Sequence, residues 1–286
     1  MRINLGGAFS KKQQIVPFVI KNKHMLKSFE TVVFDGINNC PWNGGRINRD
    51  IQYDNKTIDF YYRHNIGIAL TFTNPHIDLK NVIGNKLLEK FHHEGNYIIS
   101  INPELRQYIR KNFPLYKHTR SITGFGGISV PMSDDDLQLY KELEREYDFI
   151  VPRTEHVFDP RFCQLNVSKY EVMVNDTCVY GCPLYKKHFE AIAEQNIKYS
   201  NPWKQAGVEK MTEVEECWIP GFDPCAGHKE TKAKLGENYG MDLSISQVKR
   251  LLDQGVISFK LTGREMSHDQ YNEVLEYILN MHNHLI

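Results

Sequence analysis

An α/β chain folded as a single (β/α)8 TIM-type barrel of parallel strands, spanning 1–286, is the fold class this sequence predicts. Three observations predict it. Apolar, β-rich runs recur eight times along the chain. Most are separated by segments whose apolar residues fall three or four apart. Several runs (TVVFD, GIALTFT, NYIISI, DFIVP) are nearly unbroken hydrophobics, as expected of parallel strands covered on both faces. The length of 286 residues suits a barrel, which commonly takes about 250. An open doubly wound sheet is the alternative topology.

The predicted strands are Arg2–Leu5, Thr31–Asp35, Gly67–Thr73, Tyr97–Ile101, His118–Ile122, Asp148–Pro152, Tyr170–Asn175 and Val256–Leu261, with the last pairing beside the first to close the barrel. Helical periodicity is found at Asn85–His93, Pro103–Asn112, Ser133–Glu146 and Leu184–Gln195. Ser133, followed by three aspartates, reads as an N-cap with acid at the positive end of the helix dipole. From Ser244 to Gly255 the same start-and-stop logic recurs, a serine before SQVKRLLDQ and a glycine after it.

Composition excludes several classes. With 41% hydrophobic and 24% charged residues the chain is globular in balance. Its 35 basic and 35 acidic residues give no net charge, so no global field draws it to nucleic acid or membrane. Local basic stretches, Arg106–Arg120 and Lys229–Lys234, read as solvated helix faces, which leaves a nucleic-acid partner without support from net charge. No run approaches about 18 consecutive apolar residues, so no membrane partner is expected. The stretch MRINLGGAFS reads as a first strand rather than a leader. Six cysteines without a secretory signal point to a reducing cytoplasm and to ligation rather than disulfides. The motifs G-x-x-x-x-G-K-[ST], H-E-x-x-H and G-x-S-x-G do not occur, which leaves phosphate-loop, zinc-protease and serine-hydrolase readings unsupported.

The most chemical stretch is YEVMVNDTCVYGCPLYKKHFE, Tyr170–Glu190. An alternating strand ends in Asn175-Asp176, and Cys178 and Cys182 follow on a Gly181-Pro183 turn before a helix begins. Two thiols on a tight loop after a strand form half of a metal or cluster site. From Lys198 to Leu243 the chain shows no strong periodicity, yet it holds Trp203, Cys217, Trp218 and Cys225. A long loop of that composition is expected to be ordered and functional. Cys178, Cys182, Cys217 and Cys225 all fall between the seventh and eighth strands, so they are expected at the carboxyl-terminal face of the barrel. Cys40, after the second strand, is the rival for the fourth position, and Cys163 ranks last because it precedes strand seven. Four thiolates suit an iron–sulfur cluster, 4Fe-4S first, with zinc as the alternative; ordinary buried thiols complete the possibilities.

Three segments together resemble the U-32 peptidase family, the collagenase-like barrel proteins. MVNDTCVYGCPLYKKHF looks like that family's Cys-x3-Cys-Pro loop with a downstream His, here Cys178, Cys182, Pro183 and His188. GVISFKLTGREMSHDQYNEVLEYIL looks like its terminal strand-and-helix signature, with Lys260, Gly263 and Arg264. NYIISINPELRQYIRKNFP and DFIVPRTE occupy the places of middle strands. The resemblance covers about Tyr97 to the carboxyl terminus. It implies a barrel that holds an iron–sulfur cluster on cysteine thiolates, acting as a peptidase or in oxygen-independent hydroxylation of RNA bases or small aromatic precursors, with a possible electron-donor or partner subunit. The long cysteine motif of the larger RNA-modifying members is not reproduced at its usual spacing.

Other residues are candidates for substrate. Arg46 and Arg264 sit in G-R loops after strands two and eight, where a guanidinium fork suits a carboxylate or phosphate. Lys260 lies within strand eight and points either into the barrel or outward. Glu155 and His156 follow strand six and Asp35 ends strand two; any of them could act in proton transfer, while a structural role is the leading reading of each. A redox or modifying enzyme is the leading expectation, a peptide hydrolase the second, and a non-catalytic zinc-stapled scaffold the third.

Overall fold

Strand β1 (Arg2–Gly6) is the seam of the structure. It pairs in parallel with β2 (Glu30–Asp35) on one side and with the last strand of the sheet on the other, Arg2 lying opposite both Glu30 and Ser258. The computed structural model describes residues 1–9, 15–36, 40–45, 53–126, 129–176, 181, 185–206, 241–262 and 276. Along the chain, α1 (Ile15–Leu26) joins β1 to β2 and α2 (Asn55–Arg63) joins β2 to β3 (Gly67–Phe72). Then come α3 (Val82–Lys90), β4 (Tyr97–Ser100), α4 (Pro103–Asn112), β5 (Lys117–Arg120), α5 (Asp134–Glu146) and β6 (Phe149–Ile150). The last elements are β7 (Glu171–Met173), β8 (Asn175–Asp176), α6 (Tyr185–Ala206), β9 (Met241–Asp242), α7 (Ile245–Asp253) and β10 (Ser258–Leu261).

Around the sheet the order is β6-β5-β4-β3-β2-β1-β10-β7, every pairing parallel. A parallel bridge from Ile150 to Tyr170 joins the two ends, which brings the sheet round to a nearly closed eight-stranded barrel. The eight predicted strands thus stand where the apolar runs placed them. The seventh is shorter than predicted. Tyr170–Asn175 divides into β7, which belongs to the barrel, and β8, which turns away to pair antiparallel with β9.

Alternation sorts each strand's residues between two environments. Outward residues such as Ile3, Leu5, Val33, Ile68, Ile98 and Val172 join the core under the helices. Inward residues form a smaller cluster of Val32, Phe34, Ala69, Tyr97 and Ile99. Helix starts follow their caps. Asn102 accepts from the Leu105 amide with Pro103 in the first turn, and Ser133 with Asp136 completes a capping box. Helices α1 and α2 were not among the predicted helices. The β6–β7 connection carries three short 3-10 turns (Thr154–His156, Pro160–Gln164, Val167–Lys169) in place of an α-helix.

Among the described residues no helix is long and apolar enough to cross a membrane.

Candidate functional site at the barrel mouth

The inside of the barrel is polar along part of its axis. Arg2, from β1, is almost wholly buried and forms an ion pair with the buried Glu171 of β7. Its guanidinium lies over the rings of Tyr97 at 4.4 Å and Phe149 at 4.1 Å, and it donates to Ser258 Oγ at 3.1 Å. Asn4 donates to Glu171 Oε1 at 3.0 Å. Lys260 answers the question its strand position left open: it points inward, its Nζ 3.7 Å from Glu171 Oε1 and 4.2 Å from the centre of the Phe34 ring. At the amino-terminal end the Tyr97 hydroxyl donates to Glu30, and Lys117 reaches both Tyr97 (3.2 Å) and Glu30 (3.4 Å). Burial alone would raise the Glu30 carboxyl, but the Tyr97 hydroxyl, Lys117 and Arg2 outweigh it and hold it below the ordinary carboxylate range.

The opposite, carboxyl-terminal end is organised by α6. In a regular barrel the helix after strand seven joins the outer ring. Instead α6 crosses the mouth. Its first residue, Tyr185, packs in a cluster with Ile122, Val151 and Met173 from the ends of β5, β6 and β7. Further along, Ala193 O accepts from Asn74 Nδ2 at 2.9 Å, after β3. Asn196 donates to Gly45 O at 2.9 Å and accepts from Asn43 Nδ2 at 3.3 Å, after β2. The pairs β6/β7 and β2/β3 lie on opposite sides of the barrel. Eleven helical steps at about 1.5 Å each carry the chain about 16 Å from one side to the other. Among its described side chains Tyr185, His188, Ile192, Ala193 and Asn196 are buried, at the spacing of one helix face turned to the barrel. The helix runs to Ala206, so 198–206 is helical where the sequence suggested the start of an aperiodic loop.

The floor of this region is fixed by a close approach. A Cβ added to Gly44 would lie 2.2 Å from the Thr73 carbonyl oxygen, so only glycine lets the post-β2 loop press onto the end of β3.

Beside the mouth, residues 153–155 form a polar knot. The buried Arg153 holds Glu155 with a two-pronged contact, Nε to Oε2 at 3.0 Å and Nη2 to Oε1 at 2.5 Å. The Arg153 guanidinium also stacks over Tyr185, 3.5 Å from the ring centre. Glu155 Oε1 accepts the backbone N–H of Gly181 at 3.0 Å, and the Thr154 hydroxyl donates to Asp176 Oδ2 at 2.9 Å. Burial would raise the Glu155 carboxyl, but Arg153's hydrogen bonds and charge, with the Gly181 amide, lower it below its usual value. Next to it, Asn175 Nδ2 donates to Thr262 O at 2.6 Å and its Oδ1 accepts the Thr262 amide at 2.9 Å, locking the ends of β7 and β10 together.

The sequence-predicted residues divide among these places. Cys178, Cys182, Cys217, Cys225, Arg46 and Arg264 lie outside the described residues. Cys40, the rival ligand, is packed in the hydrophobic core, and burial pushes its thiol up to about 12. Cys163 is exposed on the outer wall, its Sγ donating to Pro160 O at 2.8 Å, beside the start of α5 where Arg161 meets Asp134. Glu155 is committed to Arg153. His156 is fully buried between the Tyr140 hydroxyl (3.1 Å) and Ser129 O (2.7 Å), and Asp35 accepts the amides of Phe9 (3.0 Å) and Gly36 (3.1 Å). Those contacts tie each of the three into the surrounding structure. Among the described residues no group of three or more His, Cys, Asp or Glu side chains could hold a metal ion. Sequence reasoning missed Arg153 and the asparagines 43, 74 and 196; an Arg three residues beyond a strand was the available signal for the first.

No family model and no curated protein matches the chain.

Proposed function

We propose that this barrel holds an iron–sulfur cluster, 4Fe-4S in type, on Cys178, Cys182, Cys217 and Cys225, and works as a redox or oxygen-independent modifying enzyme of the U-32 peptidase-like kind. Its substrate would be an RNA base or a small aromatic molecule. One observation carries the reading. Asp176 pairs with Met241, so the stretch 177–240, which contains all four of these thiols, starts and ends at one spot beside the barrel mouth. A four-thiolate donor set is the standard complement for such a cluster and fits zinc equally in number. Burial of Cys40 in the core favours Cys225 over it as the fourth ligand.

When bound, the cluster supplies one-electron chemistry. The chain's own residues supply the rest. The inward ammonium of Lys260 would bind an anionic substrate group from within the barrel, with Arg46 and Arg264 as further anion ligands. Helix α6, buried along one face across the opening, would exclude water from that interior. Electrons would come from a partner subunit or a soluble reductant.

Anaerobic purification with iron and sulfide analysis tests the reading. Iron and sulfide in the wild type, lost in Cys178→Ser and retained in Cys163→Ser, is the expected result. A colourless protein with neither element removes it. Zinc bound at one per chain would return the scaffold alternative, and cleavage of a peptide library by metal-free protein would return the hydrolase.

A further inference from the structure

We propose that Glu171 is the positioning residue for Lys260: it keeps that ammonium charged and turned into the barrel, where an anionic group of the substrate would meet it. This rests on the reading of Lys260 above and adds a residue to it, and it stands apart from the cluster. Side chains from three neighbouring strands, β7, β10 and β1, meet at the one carboxylate. Arg2 of β1 takes Oε2. Oε1 accepts from Asn4 Nδ2 at 3.0 Å and lies 3.7 Å from Lys260 Nζ. Asn4 and Lys260 are direct partners across β1 and β10, so both reach Glu171 from the same level of the barrel.

The contacts differ in kind. Arg2 and Asn4 hold Glu171 by hydrogen bonds, which fix where its charge sits. The 3.7 Å to Lys260 is beyond hydrogen-bond length, so Glu171 acts on that ammonium through charge. The ring of Phe34, 4.2 Å from Nζ, adds a second attraction for a cation. Burial favours the neutral amine of a lysine, and a neutral amine does not hold an anion by charge. Glu171 opposes that loss, and because both groups are buried their attraction is little screened by salt. The ammonium can turn to an incoming anion without breaking a hydrogen bond to Glu171. Glu171 touches no substrate in this scheme; it acts through Lys260.

The test uses the full chain with an isotopic label on the lysine ε carbons, whose magnetic resonance shift reports the charge of each amine. Lys260→Met assigns the Lys260 signal, and pH is raised across the ordinary lysine range. Glu171→Gln keeps the shape and removes the charge. Its ratio of neutral to charged Lys260 should rise about tenfold or more at a given pH, a midpoint lower by about one pH unit or more. Glu171→Asp restores the charge and should return the midpoint part of the way. A purely structural Glu171 would act otherwise: its loss would loosen the strands, carry Lys260 towards solvent and leave the midpoint at the ordinary lysine value. Other titratable groups stay in place throughout. Among the described residues these are Arg2 beside Glu171, His188 of α6 and the Arg153–Glu155 pair at the mouth, and Glu30 with Lys117 at the far rim. In the wild type, acetate or inorganic phosphate should shift the Lys260 signal. Glu171→Gln should bind either probe about tenfold more weakly at a pH between the two midpoints.

An unchanged Lys260 midpoint in Glu171→Gln would overturn the proposal. Should that variant fail to fold, Glu171→Asp carries the measurement, and a midpoint equal to that of the wild type overturns it there. Should neither acetate nor phosphate shift the wild-type signal, the anion reading of Lys260 fails, while the midpoints still decide whether Glu171 keeps Lys260 charged.

Discussion

The two ends of this barrel are closed by different physics. The amino-terminal end is filled by side chains: Arg2 between Tyr97 and Phe149, paired with Glu171, with Glu30 and Lys117 at the half-exposed rim. The carboxyl-terminal end is covered by a helix, and what fastens α6 at its far side is amide chemistry, Asn74 to Ala193 O and Asn196 to Gly45 O. A charge buried inside a sheet is hard to remove without unfolding the barrel. Neutral hydrogen bonds between a helix and loops can break and reform locally. The first end is therefore built for permanence, and the second, where the cysteine-bearing stretch attaches, is built to yield.

Breaking the charged end should have the largest effect. Glu171→Ala leaves Arg2 without its carboxylate in the barrel interior, and about 3–5 kcal/mol of stability should be lost in denaturant unfolding. The paired change Arg2→Met with Glu171→Leu should recover part of that loss, because the Arg2 charge is then gone while Lys260 still loses the Glu171 carboxylate; a double variant as unstable as Glu171→Ala would mean that the Arg2 charge is not what closes this end.

An acid titration separates both ends from the wall between them. His118 on β5 faces outward and is buried, and neither ring nitrogen has a hydrogen-bond partner among the described residues. Burial first, then Arg110 and Arg106, against an opposing pull from Asp148, depress it to about 4. The folded state thus takes up its proton later than the unfolded chain, whose histidines titrate near 6.5. His118 stability is present in full above about pH 6.5 and is lost as pH falls towards 4, by an amount of order 2–3 kcal/mol. His118→Phe should flatten that window of the stability–pH curve; an unchanged slope between those pH values assigns the acid sensitivity to other groups.

A smaller effect is expected at the helical roof. Asn74→Ala deprives Ala193 O and Asn43 O of a donor and should cost about 1–2 kcal/mol. Amide exchange should quicken in α6 and stay unchanged in β1 and β10. Uniform acceleration across the barrel would show that the roof is not an independent unit. At the rim, Lys117→Met should change stability by less than about 1 kcal/mol, since Lys117 and Glu30 are both half exposed and screened by salt. A larger loss on thermal unfolding would make that outer pair part of the buried network.

The strands were legible because parallel strands buried on two faces must be apolar throughout, and GIALTFT or NYIISI can scarcely be anything else. Pro103–Asn112 was legible at both ends because Asn102 and Pro103 mark its start chemically. Helix α2, NKTIDFYYR, was missed: threonine, isoleucine and three aromatics obscure its helical period. Its signal was the Asp54 cap on the Thr57 amide. Of the candidate site, the inward set of Lys260 could be framed only as one of two directions. The duties of Glu155 and His156 could not be read at all, because their partners, Gly181 and Ser129, are more than twenty residues away in the chain.

By itself the sequence determined the periodicities: eight apolar runs, their helical spacers, and a stretch after strand seven that concentrates four of the six cysteines. Those properties are local, fixed by spacing and residue type within a dozen positions. Only the tertiary structure decided that α6 crosses the mouth instead of joining the ring, that β8 leaves the barrel to meet β9, and that Thr154 and Glu155 bind the chain at Asp176 and Gly181, before and after Cys178 in sequence. An amphipathic helix has the same period whether its apolar face meets the outside of a sheet or the open end of a barrel. Which surface it covers is set by partners far away in sequence, here asparagines after β2 and β3, whose hydrogen bonds exist only once the barrel has closed.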